Sequence, residues 1–82
     1  MIIKVLGPGC VNCKTLERRT REAADALKLE ATIEKVEAFD MIASYGVMRT
    51  PGLVIDEQVV ISGSVPTVEK IKEFLLAHRM AQ

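Results

Sequence analysis

The sequence has no tryptophan and only three aromatic residues, Phe39, Tyr45 and Phe74. That is too few to build a platform on which bases stack. Net charge is also missing, with 11 Lys+Arg against 11 Asp+Glu. The balance holds locally, seven of each sign in residues 1–41 and four of each in residues 42–82. No basic lobe remains to grip a phosphate backbone, so nucleic acid is not expected as a partner. No apolar run approaches the ~20 residues that span a bilayer. The apolar opening Ile2-Ile3-Lys4-Val5-Leu6 stops at Gly7 and Pro8, well short of a secretory signal. A cytoplasmic protein without a membrane partner is therefore expected. Repeats, low-complexity tracts and linkers are absent as well, and 82 residues suffice for a single domain, 1–82, expected to be a monomer.

Cysteine is scarce but placed. Two cysteines, rather than four or six, argue against a disulfide-stapled secreted scaffold. They stand three apart as Cys10-Val11-Asn12-Cys13, and in a reducing compartment such a pair is more often catalytic, redox-sensing or metal-binding than structural.

The run Ile2–Leu6 is short, β-branched and mostly apolar, which predicts a buried strand. Gly7-Pro8-Gly9 ends it, since proline lacks a donor and glycine opens unusual backbone angles. A helix is predicted from about Cys10 or Val11 to about Leu27. On a helical wheel starting at Cys10, Leu16, Thr20, Ala23, Ala24 and Leu27 fall between roughly 220° and 320°, the face to be buried. Cys13 lies on the margin of that face, while Cys10 sits at the helix start with Lys14, Glu17, Arg18 and Arg21 around its solvent side. Ala31–Val36 alternates as a second strand. A short helix over about Ala38–Tyr45 should end at Gly46. Leu53-Val54-Ile55 and Val59-Val60-Ile61 read as strands joined through Asp56-Glu57-Gln58, a turn without the glycine that would fix its register. Thr67 can cap a last helix whose apolar stripe is Val68, Ile71, Phe74, Leu75 and His78. The predicted order is β-α-β-α-β-β-α, an α/β fold with helices on both faces of a small mixed sheet.

The position of Cys10 carries the chemistry. A thiolate, not a thiol, attacks a disulfide. Unpaired N–H groups and the positive dipole end at a helix N-terminus stabilise that negative charge, so Cys10 is expected to have a lowered pKa. Cys13, nearer the core and one turn away, can close a disulfide and resolve a mixed disulfide. Lys14, Arg18 and Arg21 read first as an exposed charged face and second as aids to the thiolate or to an acidic partner surface.

Gly7-Pro8-Gly9-Cys10-Val11-Asn12-Cys13, then Tyr45-Gly46-Val47-Met48-Arg49-Thr50-Pro51, then Leu53-Val54-Ile55-Asp56, together resemble the small prokaryotic thioredoxin-like proteins called redox-active disulfide proteins. These are relatives of thioredoxin and glutaredoxin, and the resemblance runs over about residues 1–77. It implies a thioredoxin-like fold, a four-stranded mixed sheet flanked by three helices. It implies catalytic Cys10 and Cys13, and a cis-proline at Thr50-Pro51 packed against them. A cis bond there could not be read from the residues alone, since X-Pro bonds are cis in only about 5–6% of cases. Thr50 and Pro51, with Gly9, Val11 and Asn12, are then the substrate-binding residues. The chain departs from ordinary thioredoxins in lacking Trp-Cys-Gly-Pro-Cys and in placing Lys4 where those proteins carry a buried acid. Ser62-Gly63-Ser64-Val65 lacks the Gly-Gly-Asp pattern with which glutaredoxins hold glutathione, so the resemblance supplies no support for glutathione dependence. Gly52 replaces a more usual alanine and is expected to loosen the loop.

The expected function is a dithiol–disulfide oxidoreductase that reduces protein disulfides without a bound cofactor or metal, because the electrons reside in the cysteine pair. Its electron donor would be a thioredoxin-reductase-type flavoenzyme. Two alternatives use the same cysteines: a soft-metal carrier for copper or zinc, and a non-enzymatic redox sensor. Zinc normally takes four ligands, and His78 is the only other candidate besides scattered carboxylates; it reads as a surface or packing residue. Small copper carriers run β-α-β-β-α-β and usually place methionine where Pro8 stands.

Overall fold

Strand β1 (Ile2–Leu6) forms the centre of the sheet, because Ile3, Val5 and Leu6 all need burial and both faces are covered. The computed structural model describes residues 1–80. After β1 come α1 (Val11–Ala26), β2 (Thr32–Val36), α2 (Phe39–Ser44), β3 (Gly52–Ile55), β4 (Gln58–Ser62) and α3 (Val68–Met80). This is the predicted order, and the α/β thioredoxin-like architecture of four mixed strands and three helices is present. The sheet runs β2-β1-β3-β4, with β1 parallel to β2 and antiparallel to β3, and β3 antiparallel to β4.

Alternation along the strands sorts the core into two layers. Ile3 and Val5 of β1, with Leu53 and Ile55 of β3, pack against Leu16, Ala23 and Ala24 of α1 and Ile71 and Leu75 of α3. Leu6 and Val54 point the other way, to Ile42 of α2 and Val47. The predicted buried face of α1 is therefore the observed one, with Leu27 only half-buried beyond the helix end. Thr20 is accommodated there because its hydroxyl donates to the Leu16 carbonyl at 2.7 Å. Thr67 caps α3, its Oγ1 accepting from Lys70 N–H at 3.2 Å. Arg19 of α1 ties down the approach to α3 by donating to the Pro66 carbonyl at 3.0 Å.

The β3–β4 hairpin solves its turn without glycine. Asp56 and Glu57 hold φ of +46° and +71°, a conformation costing L-residues roughly 1–2 kcal/mol each. Contacts from elsewhere offset that cost. Asp56 N–H donates to the Ile2 carbonyl at 2.8 Å, and its Oδ1 accepts from Ile2 N–H at 2.7 Å. Its Oδ2 lies 2.9 Å from Nε2 of His78, which accounts for that half-buried histidine as a structural group. Glu57 is held by Lys4 at 2.7 Å. The resulting register pairs Ile55 with Gln58 and places a bulge between Leu53 and Val54.

Register decides where the ends of the strands meet. Leu6 is opposite Val36 on one side and Gly52 on the other. The chain leaving β1 and the chain entering β3 are therefore neighbours. Gly52 does not loosen this junction: it is buried, and a Cβ there would lie 3.3 Å from both the Ile61 carbonyl and the Val47 side chain.

Burial predicts which apolar side chains matter. Leu53→Ala, at 0% exposure on β3 beneath α1 and α3, should cost about 2–5 kcal/mol in urea unfolding. Leu76→Ala, 40% exposed on α3, should cost under about 1 kcal/mol. Equal costs would contradict this placement of the core.

Candidate functional site

The site forms where β1 hands over to α1. Gly7 N–H continues the parallel ladder by donating to the Val36 carbonyl at 2.9 Å. The chain then turns through Pro8 and through Gly9, whose φ of +91° suits glycine. Cys10 is extended (φ −67°, ψ 168°) and is the N-cap of α1. Its Sγ accepts from Cys13 N–H at 3.2 Å, and its carbonyl accepts from Lys14 N–H at 3.0 Å. A cysteine sulfur thus stands where a serine or aspartate oxygen usually caps a helix. Once reduced, a Cys10 thiolate keeps that N–H and the positive helix end, which favour its charged form.

Cys10 and Cys13 are joined by a disulfide, with Cα atoms 5.0 Å apart. They are as unequal as the wheel implied: Cys10 is exposed, and Cys13 is 5% exposed. Gly7 explains how Cys13 can sit so deep. A Cβ on Gly7 would collide with Sγ and Cβ of Cys13, so only glycine lets the end of β1 pass beneath it. The same point lies 3.8 Å from Cβ of Thr50, which brings the second motif to the cysteines.

The Thr50-Pro51 peptide bond is cis, and Pro51 is buried. The Pro51 carbonyl is taken by Gly63 N–H at 2.8 Å. Among the described residues the N–H and C=O of Thr50 make no hydrogen bond, leaving both for an incoming strand. Val11 and Met48 border the two motifs in the chain and are 80% and 93% exposed, although each is a large apolar side chain. Asn12 is exposed between the cysteines, and Gly9 is exposed beside them.

Charged neighbours fall into two groups. Lys4 is engaged by Tyr45 and by the hairpin turn. Its Nζ donates to Glu57 and to Tyr45 OH, both at 2.7 Å, and these bonds hold its ammonium well above the usual lysine range although partial burial opposes them. The second group lines a cleft of about 110 Å3 beside Cys13, formed by Val5, Gly7 and Gly9 with Lys14, Glu17, Lys35 and Glu37. Burial would push Glu17 up, but hydrogen bonds from Arg21 (3.0 Å) and Lys35 (3.2 Å) outweigh it and hold the carboxyl below its usual range. Sequence reasoning placed Glu17 and Arg21 on an exposed face and did not single out Lys35 or Glu37. Only the parallel pairing of β2 with β1 brings those two to the cysteines. Arg18 is exposed, as predicted.

Among the described residues no three His, Cys, Asp or Glu side chains gather to hold a metal ion. His78, the extra ligand the zinc alternative would have drawn on, is engaged with Asp56. The element order also differs from the β-α-β-β-α-β of small copper carriers. Because Gly7 and Cys13 are in van der Waals contact, Gly7→Ala should destabilise the oxidised protein by about 1–3 kcal/mol in thermal or urea unfolding. Pro8→Ala, next to it but exposed, should stay within about 0.5 kcal/mol. Indistinguishable costs would contradict the close approach.

Comparison with known proteins agrees with this geometry. The family model described as "Thioredoxin domain" matches residues 1–76. A protein named thioredoxin from Methanothermobacter thermautotrophicus is 40% identical over 75 residues, covering 92% of this chain and 97% of that protein. Another of the same name from Methanocaldococcus jannaschii is 35% identical over 78 residues, covering 95% of this chain and 90% of that protein. With its cysteine pair closed at the head of α1, the chain belongs to the thioredoxin domain family and is a dithiol–disulfide oxidoreductase.

Proposed function

We propose that Cys10 is the attacking thiol, Cys13 the resolving thiol, and Thr50-Pro51 the element that positions a protein disulfide. The observation that carries this assignment is the inequality of the pair: Cys10 exposed as an N-cap, Cys13 at 5% exposure beneath it. The Cys10 thiolate attacks one sulfur of the substrate disulfide, and the other substrate sulfur leaves and takes a proton from water. Cys13 then loses its proton and attacks Cys10 Sγ, releasing the second substrate thiol. The protein is left as the Cys10–Cys13 disulfide, and two electrons have passed to the substrate.

The free N–H and C=O of Thr50 suit pairing with an extended substrate segment, as in strand addition. Gly9, Val11 and Asn12 complete the contact rim, and exposed Val11 and Met48 favour apolar residues flanking the target disulfide. An external dithiol must restore the pair, which makes a thioredoxin-reductase-type flavoenzyme the proposed donor. The unit acts as one domain and as a monomer in the cytoplasm. Among the described residues no helix is long and apolar enough to cross a membrane.

Two substitutions test the roles. Cys10→Ser should abolish reduction of a protein disulfide by dithiothreitol through this protein. Cys13→Ser should stop at a mixed disulfide, seen as a reductant-sensitive adduct by mass spectrometry. Normal turnover by Cys13→Ser would overturn the assignment.

A further inference from the structure

Cys13 must shed a proton before it can resolve the mixed disulfide, yet its burial disfavours the thiolate. One side of Cys13 opens to the charged cleft, whose volume of about 110 Å3 has room for several water molecules. From α1 the cleft receives Lys14 and Glu17, from β2 it receives Lys35, and from the residue that follows β2 it receives Glu37. β1 and the loop after it contribute Val5, Gly7 and Gly9, which carry no titratable group. Thr50, from the facing loop, carries none either.

The two carboxylates are not equivalent. Glu17 is fixed between Lys35 and Arg21, so its charge is already used. Glu37 makes no ion pair and no side-chain hydrogen bond among the described residues, and its Oε2 reaches to 3.8 Å from where a Cβ of Gly9 would stand. A free carboxylate therefore reaches from the end of β2 toward the loop that carries Cys10, in the same cleft as Cys13.

We infer that this cleft is the proton route of the resolving thiol and that Glu37 is its proton acceptor, acting through water. The inference rests on the assignment of Cys13 as the resolving thiol. The Cys13 S–H proton passes to Glu37, and the electron pair on sulfur forms the bond to Cys10 Sγ. The bond between Cys10 and the substrate sulfur breaks with its electrons on the substrate, which takes the proton back from Glu37. Cys10 and Cys13 end oxidised, the substrate ends reduced, and Glu37 ends ionised as it began. Glu37 is a positioning residue for the proton and does not touch the substrate.

Stopped-flow reaction of the reduced full chain with 5,5′-dithiobis(2-nitrobenzoate) separates the two halves. The first thionitrobenzoate released reports attack by Cys10, and the second reports resolution by Cys13. Glu37→Gln should leave the first phase unchanged and slow the second about tenfold near pH 6.5, below the usual span of general-base effects because water still carries part of the proton. The deficit should shrink as hydroxide rises, and added acetate should restore part of the rate. Glu22→Gln, an exposed carboxylate change elsewhere on α1, should alter neither phase. A second phase unchanged or accelerated in Glu37→Gln, or one that acetate does not help, would overturn the inference. Absence of a second phase in the unsubstituted protein would instead overturn the role given to Cys13.

Discussion

Cys13 lies against the backbone of Gly7 so closely that no side chain fits between them, and the site depends on that contact. It fixes how far the first turn of α1 sits down onto the end of β1. It also sets the depth of one cysteine while its partner, three residues earlier, stays at the surface. Because β1 is an inner strand, paired on both sides, the platform under this contact cannot shift without breaking two ladders.

The same register supplies the rest of the site. Leu6 opposite Gly52 brings Thr50 and the cis bond to Pro51 beside the cysteines from one side. Leu6 opposite Val36 brings Lys35 and Glu37 from the other. Chemistry then follows from unequal surroundings. Cys10 has a helix end and an N–H aimed at its sulfur, whereas Cys13 has burial and a polar cleft. Dithiol exchange needs this asymmetry, since one sulfur must meet the client and the other must wait until a mixed disulfide has formed.

Much of this was legible in the residues, where the signal was local. The apolar spacing from Leu16 to Ala24 gave the inner face of α1, and the same wheel separated Cys13 from Cys10. The cis bond at Thr50-Pro51 came only through resemblance to a family, because nothing in a threonine–proline pair announces it. Other features depend on partners distant in sequence. The hairpin register rests on Asp56 and Glu57 at positive φ, held by Ile2 and Lys4 more than fifty residues away. Lys4 gave no local sign that Tyr45 and Glu57 would receive it. Gly52, read as a loosening of the loop, proved to be a tight packing position. The cleft escaped the sequence because its charged groups come from α1 and from the end of β2 and the residue after it, which meet only after the parallel pairing forms.

Dithiol exchange requires that Cys10 and Cys13 form a reversible two-electron couple. Thiol trapping of the metal-free protein across a series of dithiol redox buffers measures this directly. A single two-electron transition is expected, with a midpoint between about −300 and −180 mV, where thioredoxin- and glutaredoxin-type exchangers fall. Failure of the two cysteines to interconvert between dithiol and disulfide in that series would contradict it.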